Sequence, residues 1–240
     1  MGPNIGMGKR ESAALLALAV SGVTGTANAD TRLSAQELRW AQAASPVVAY
    51  ARTQGLPVDV VVQPQDAPGL APVAMALVDG RCKLVFSMRG NPAAEETERS
   101  IPPALFTPVV EAIAAHEVAH CWRQVRGAWR TVPAGFSDPS GPVDSTDPDV
   151  ATRWSAMAAT RREEGFADLV GLAWTWRQHP AQYAQVHAWL MNERANPPLA
   201  GSHHDTQAWV RLAANGGFGD ADSPFEQVTR MWTAGLVGEP

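Results

Sequence analysis

The apolar residues follow helical spacing in some stretches and strand-like runs in others, with turn residues between them. Leu33, Leu38, Trp40 and Ala41 begin an apolar face, and Ser34 stands three before Glu37 at the capping-box spacing. The pattern predicts a helix over 34–54, which Pro46 is expected to kink or split. Val58 to Gln63 is a short β-branched run and reads as a strand. Pro72 to Val78 and Cys82 to Met88 read as two more, joined by Asp79-Gly80 as a tight hairpin. From Ala104 to Arg126 the period is helical. A loop rich in Pro, Gly, Ser and Asp follows from Gly127 to Asp149. Val150 to Gln178 is a second long helix, ended before Pro180, and shorter helices are expected over 181–194, 205–214 and 224–236. Strands first and helices afterwards predict an α+β fold, with a small N-terminal antiparallel β-sheet packed on a mainly helical core.

Composition narrows the picture. The chain has 240 residues, of which 45% are hydrophobic and 18% charged, a balance that excludes intrinsic disorder. A net charge of −5 argues against a nucleic-acid partner. No apolar run approaches the ~18 residues of a transmembrane helix, so none is expected in the mature chain. Residues 1–29 have the order of an export signal: Lys9 and Arg10, an apolar run from Ala13 to Val20, then Ala27-Asn28-Ala29 before Asp30. This predicts a periplasmic or secreted protein whose mature part, 30–240, is a single domain. Cys82 and Cys121 are the only cysteines, and an oxidising compartment permits a disulfide between them.

The chemistry lies in the first long helix. His116, Glu117, Val118, Ala119 and His120 spell H-E-x-x-H. Histidines four apart on a helix are only about 40° apart around its axis, so both imidazoles reach one point. They can bind zinc, with Glu117 placed to act on a bound water. The neighbours Val109, Val110, Ile113, Ala114, Val118 and Ala119 predict a buried helix, where such polar groups need partners. The second long helix offers a third ligand in Glu164. Asp168, four residues on, can accept a hydrogen bond from the second nitrogen of a ligand histidine. Gly165 weakens a helix unless something approaches its backbone closely. Glu163 reads as a solvated partner of Arg161 and Arg162. His179 and His187 read as packing or surface residues, and Trp174 and Trp176, two apart, as lying on different faces. Asp138, Asp144, Asp147 and Asp149 read as a solvated loop, since no EF-hand spacing is present.

H-E-x-x-H followed one helix later by E-x-x-x-D resembles the gluzincin zinc metallopeptidases. Glu164-Gly-Phe-Ala-Asp168 is similar to the E-x-x-A-D of the CAAX prenyl protease and heat-shock zinc protease group. The resemblance implies a zincin core for 30–240, one Zn2+ per chain on His116, His120 and Glu164, and Glu117 as general base in peptide hydrolysis. Ser202 to Arg211 is similar to a downstream segment of that group. It points to His203, which follows Ser202, as a hydrogen-bond donor to the developing oxyanion. No third histidine follows His120 at metzincin spacing. A peptide or protein substrate is expected to add as a strand to the edge of Cys82–Met88. The alternative is a zinc-binding envelope chaperone or assembly factor without hydrolytic activity.

Overall fold

The computed structural model describes residues 32–63, 71–136, 148–195 and 202–237. The expected export signal, 1–29, lies outside them, as do Asp138, Asp144 and Asp147 of the long loop. The fold is α+β. Helix α1, Ala35–Thr53, opens with the expected capping box: Ser34 Oγ accepts from the Glu37 amide at 3.1 Å, and Glu37 accepts from the Ser34 amide at 2.6 Å. Contrary to expectation, α1 runs unbroken through Pro46. A proline at 46 leaves the Gln42 carbonyl without its helical donor. Ser45 Oγ supplies the missing bond at 2.7 Å.

Strands β1, Val58–Val62, β2, Val73–Val78, and β3, Arg81–Phe86, form one sheet in the order β1-β3-β2. β2 and β3 are the expected antiparallel hairpin, with Val78 opposite Arg81. Asp79 and Gly80 turn it at φ 50° and 72°, the left-handed pair that a two-residue hairpin favours. The all-antiparallel expectation is corrected at β1, which pairs with β3 in parallel, Val58 opposite Cys82 and Val62 opposite Phe86. Because β1 and β2 run in opposite directions, the strand between them is antiparallel to one and parallel to the other. β3 is therefore central, and Cys82, Leu84 and Phe86 are buried on its inner face. Both edges of β3 are paired, so it has no edge for a substrate, and the open strand beside the cavity described below is β2.

Pro92–Ser100 forms α2, a helix missing from the sequence reading. Only Ala94 of it is buried, and PAAEETERS offers few apolar residues to read. The readable signal was Asn91 before Pro92: Asn91 Oδ1 accepts from the Ala93 amide at 3.0 Å, and proline occupies the first helical position. Then come the two long helices, α3, Phe106–Val125, and α4, Pro148–Gln178, followed by α5, Tyr183–Glu193, α6, Gln207–Leu212, α7, Pro224–Gln227, and α8, Thr229–Val237. No helix among the described residues is long and apolar enough to cross a membrane. α3 lies between the sheet and α4. A Cβ on Gly171 of α4 would stand 2.7 Å from the Ala112 carbonyl oxygen of α3, so glycine permits this approach. Trp174 is buried and Trp176 exposed.

Cys82 of β3 and Cys121 of α3 are joined by a disulfide, with Cα atoms 5.8 Å apart and both residues fully buried. It anchors the sheet to α3 one residue after His120. The denatured, unreduced protein should therefore show no free thiol by thiol titration. Serine at both positions should lower unfolding stability by about 4 kcal/mol, the loop-closure value for some 40 residues, as read by urea denaturation.

Candidate metal centre

α3 and α4 bring three donors together. His116 and His120 project from successive turns of α3, with their Nε2 atoms 3.2 Å apart. Glu164 of α4 lies 3.2 Å from His116 Nε2 through one carboxylate oxygen and 3.5 Å from His120 Nε2 through the other. The three donor atoms lie within 4.8 Å of one another, and the group can hold a metal ion. Gly165, next to Glu164, has the close neighbour its position called for. A Cβ there would meet the Trp209 indole at 2.5 Å, and one on Gly235 would meet the same ring at 2.4 Å.

Asp168 sits one turn beyond Glu164 and is fully buried. It accepts from His116 Nδ1 at 2.9 Å, from Arg194 Nε and one Arg194 terminal nitrogen at 2.8 Å each, and from Thr206 Oγ1 at 2.5 Å. A carboxylate can only accept, so Nδ1 of His116 carries a proton, and Nε2 is the nitrogen that would give up its proton to a metal. Burial raises the Asp168 pKa, but Arg194 and His116 outweigh it and hold the group charged, well below the ordinary carboxylate range. The sequence reading missed Arg194 and Thr206. Arg194 caps the C-terminus of α5, 26 residues from Asp168, and no spacing rule links the two.

The same fields act on the other titratable groups. Burial depresses His116, yet its bonds to Asp168 and Glu164 prevail and hold its pKa up at about 10. Burial raises Glu164, but His120 and His116 pull it down to about 2. Burial pushes His120 down to about 4, and its Nδ1 has no hydrogen-bond partner among the described residues. Glu117 is pushed up to about 7, chiefly by burial, although the backbone amide of Met75 in β2 hydrogen-bonds to it.

A cavity of about 620 Å³ opens over these groups. Ala71 to Met75 form one wall, Ile113, Val186, Trp189 and Leu190 an apolar end, and Gln124, Trp129 and Thr160 the opposite end. His203 and His204 both line it, with ring centroids 4.2 Å apart. Burial and the positive Arg194 hold His204 down at about 4. His179 and His187 serve packing: His179 Nε2 donates to Glu111 at 2.9 Å and His187 Nε2 to the Val210 carbonyl at 2.8 Å.

Glu163 is the chief correction among the charged residues. Expected in solvent, it is 1% exposed. It takes two 2.8 Å bonds from Arg123 of α3 and one of 2.8 Å from the Arg130 amide. One residue is about 100° of helix, so Glu164 faces the centre while Glu163 packs on the C-terminal turns of α3. Comparison with protein-family profiles, curated proteins and solved structures finds no match for this chain.

The two adjacent glutamates should fail differently. Glu164→Ala should abolish stoichiometric metal binding. Glu163→Ala should keep its metal but lose about 3–5 kcal/mol, because it strands a buried guanidinium. Metal analysis and urea titration of both variants check this.

Glu117 also sets a pH dependence. In the metal-free chain it holds its proton to about pH 7, whereas in the unfolded chain it releases it near its ordinary 4.5. The folded state thus binds more protons in that window, and its stability contribution falls as pH rises from 4.5 to 7. Urea titrations of metal-free wild type and Glu117→Gln should differ by this fall, which the variant lacks.

Proposed function

We propose that this chain is an exported zinc-dependent peptidase of gluzincin type, similar in its site to the CAAX prenyl protease and heat-shock zinc protease group. One observation carries the reading: the Glu117 carboxyl stands beside the His116, His120 and Glu164 donors in a cavity walled by an open strand. Two imidazoles and one carboxylate suit zinc and leave a coordination position for water. The bond from His116 Nδ1 to Asp168 leaves Nε2 as the nitrogen that loses its proton when a metal binds. The buried disulfide fits the oxidising compartment that the N-terminal segment implies.

When bound, zinc supplies Lewis acidity toward a scissile carbonyl and lowers the pKa of a water toward neutrality. Glu117 takes a proton from water and returns it to the leaving amine. β2 orients the substrate. Ser87 donates to the Pro72 carbonyl across the hairpin, so in the antiparallel alternation Ala74 and Ala76 turn their backbone groups to β3. Val73, Met75 and Leu77 turn theirs to the outer edge, where the Met75 amide is bound to Glu117 and the other groups can pair with an extended peptide. His203, lining the same cavity, supplies a hydrogen bond to the negative charge that builds on the carbonyl oxygen.

Glu117→Gln tests the reading. Wild type and variant should each bind one zinc per chain by metal analysis, and the variant should hydrolyse peptides about 10²–10⁴-fold more slowly. A zinc-loaded wild type that cleaves nothing in a broad peptide pool would point instead to a zinc-binding envelope factor.

A further inference from the structure

The turn after α3 is held with more care than a surface connection needs. Ala128 to Thr131 closes on itself through the Thr131 amide and the Ala128 carbonyl at 3.0 Å. Arg130 lies at φ 59°, a left-handed conformation that a non-glycine residue adopts at some energetic cost. Two buried groups clamp the turn from below. Glu163 accepts the Arg130 amide at 2.8 Å, and Arg123, itself bonded twice to Glu163, donates to the Thr131 carbonyl at 2.8 Å. A third tie runs from the Arg130 side chain to Thr160 at 3.2 Å.

The side chain that this clamp fixes toward the site is Trp129. Its ring meets His120 edge to face at 5.5 Å, and it lines the cavity beside Gln124 and Thr160. It is the aromatic at this end, on the opposite side of the donors from Ile113, Val186 and Trp189. An indole provides a large apolar area, and its immobilisation within the folded chain leaves little ordering to be done on binding.

We infer that Trp129 is a specificity residue: it forms the wall of a subsite that takes an aromatic side chain of the peptide substrate close to the scissile bond. Glu163 and Arg123 are positioning residues that hold it there. The inference rests on the peptidase reading. Trp129 contacts substrate in this role and takes no part in proton transfer, so its signature is selective binding.

The test uses the full mature chain as zinc-loaded Glu117→Gln, which binds without cleaving. Its probes are hexaalanine amide and six derivatives, each with one Phe at a successive position, titrated by calorimetry. The expected result is one Phe position that binds about 10-fold tighter than hexaalanine, the scale of an aromatic contact of ~1.4 kcal/mol. Adding Trp129→Ala should bring that peptide to the affinity the same variant shows for hexaalanine, with zinc stoichiometry unchanged. Trp129→Phe should restore most of it. Equal Phe gains with and without the indole would overturn the inference and leave the peptidase reading intact. Loss of zinc in Trp129→Ala would overturn it too, making Trp129 a support for His120. If zinc-loaded Glu117→Gln binds none of the peptides, both the inference and the peptidase reading fail.

Discussion

A buried carboxylate, Asp168, joins the parts of this molecule that build the candidate metal centre. It lies on α4, orients His116 of α3, holds Arg194 at the end of α5, and takes the Thr206 hydroxyl at the entry to α6. A charge so far from water is tolerated only when paired and fully hydrogen-bonded. Asp168 meets that requirement with four bonds, and in meeting it holds a proton on Nδ1 of His116. One carboxylate thereby ties four helices, α3 to α6, to the orientation of one candidate ligand.

Glu163 repeats the arrangement on another face of α4. Its bonds with Arg123 join α4 to α3 a second time, and its bond to the Arg130 amide fixes the turn that carries Trp129. Three residues within two turns of one helix therefore serve separate purposes: Glu163 places a cavity wall, Glu164 offers a donor to the centre, and Asp168 orients the ligand opposite. The glycines of α4 make this density possible. Gly165 admits Trp209, and Gly171 admits the α3 backbone.

The sheet contributes through its edge. Pairing β1 with β3 leaves β2 beside the cavity, where the Met75 amide is bound to Glu117. That bond favours the charged carboxylate, but burial outweighs it and lifts Glu117 to about 7. The Cys82–Cys121 disulfide keeps β3, and with it β2, in place against the helix bearing both histidines.

Much of this was legible in one dimension because it depends on local periodicity. The α3 histidines share a face because they are four residues apart, and the same holds for Glu164 and Asp168. The β2–β3 hairpin follows from Asp79-Gly80, and the α1 cap from Ser34 and Glu37. Local spacing also showed that Gly165 needed a close neighbour, though not that Trp209 was that neighbour. What local spacing could not hold was any pairing between distant residues whose partners are chosen by packing. Arg194 finds Asp168 across 26 residues, and Glu163 finds Arg123 across 40. A flanking charge pattern made Glu163 look solvated, whereas one residue of helical rotation buried it. The parallel placement of β1 likewise depends on which edge of β3 is free after the hairpin forms. Sequence alone determined the long helices, the hairpin and the candidate donors, since each obeys a period of a few residues. Tertiary structure decided the partners of the buried charges and the open edge of the sheet, because those depend on which surfaces the folded chain removes from water.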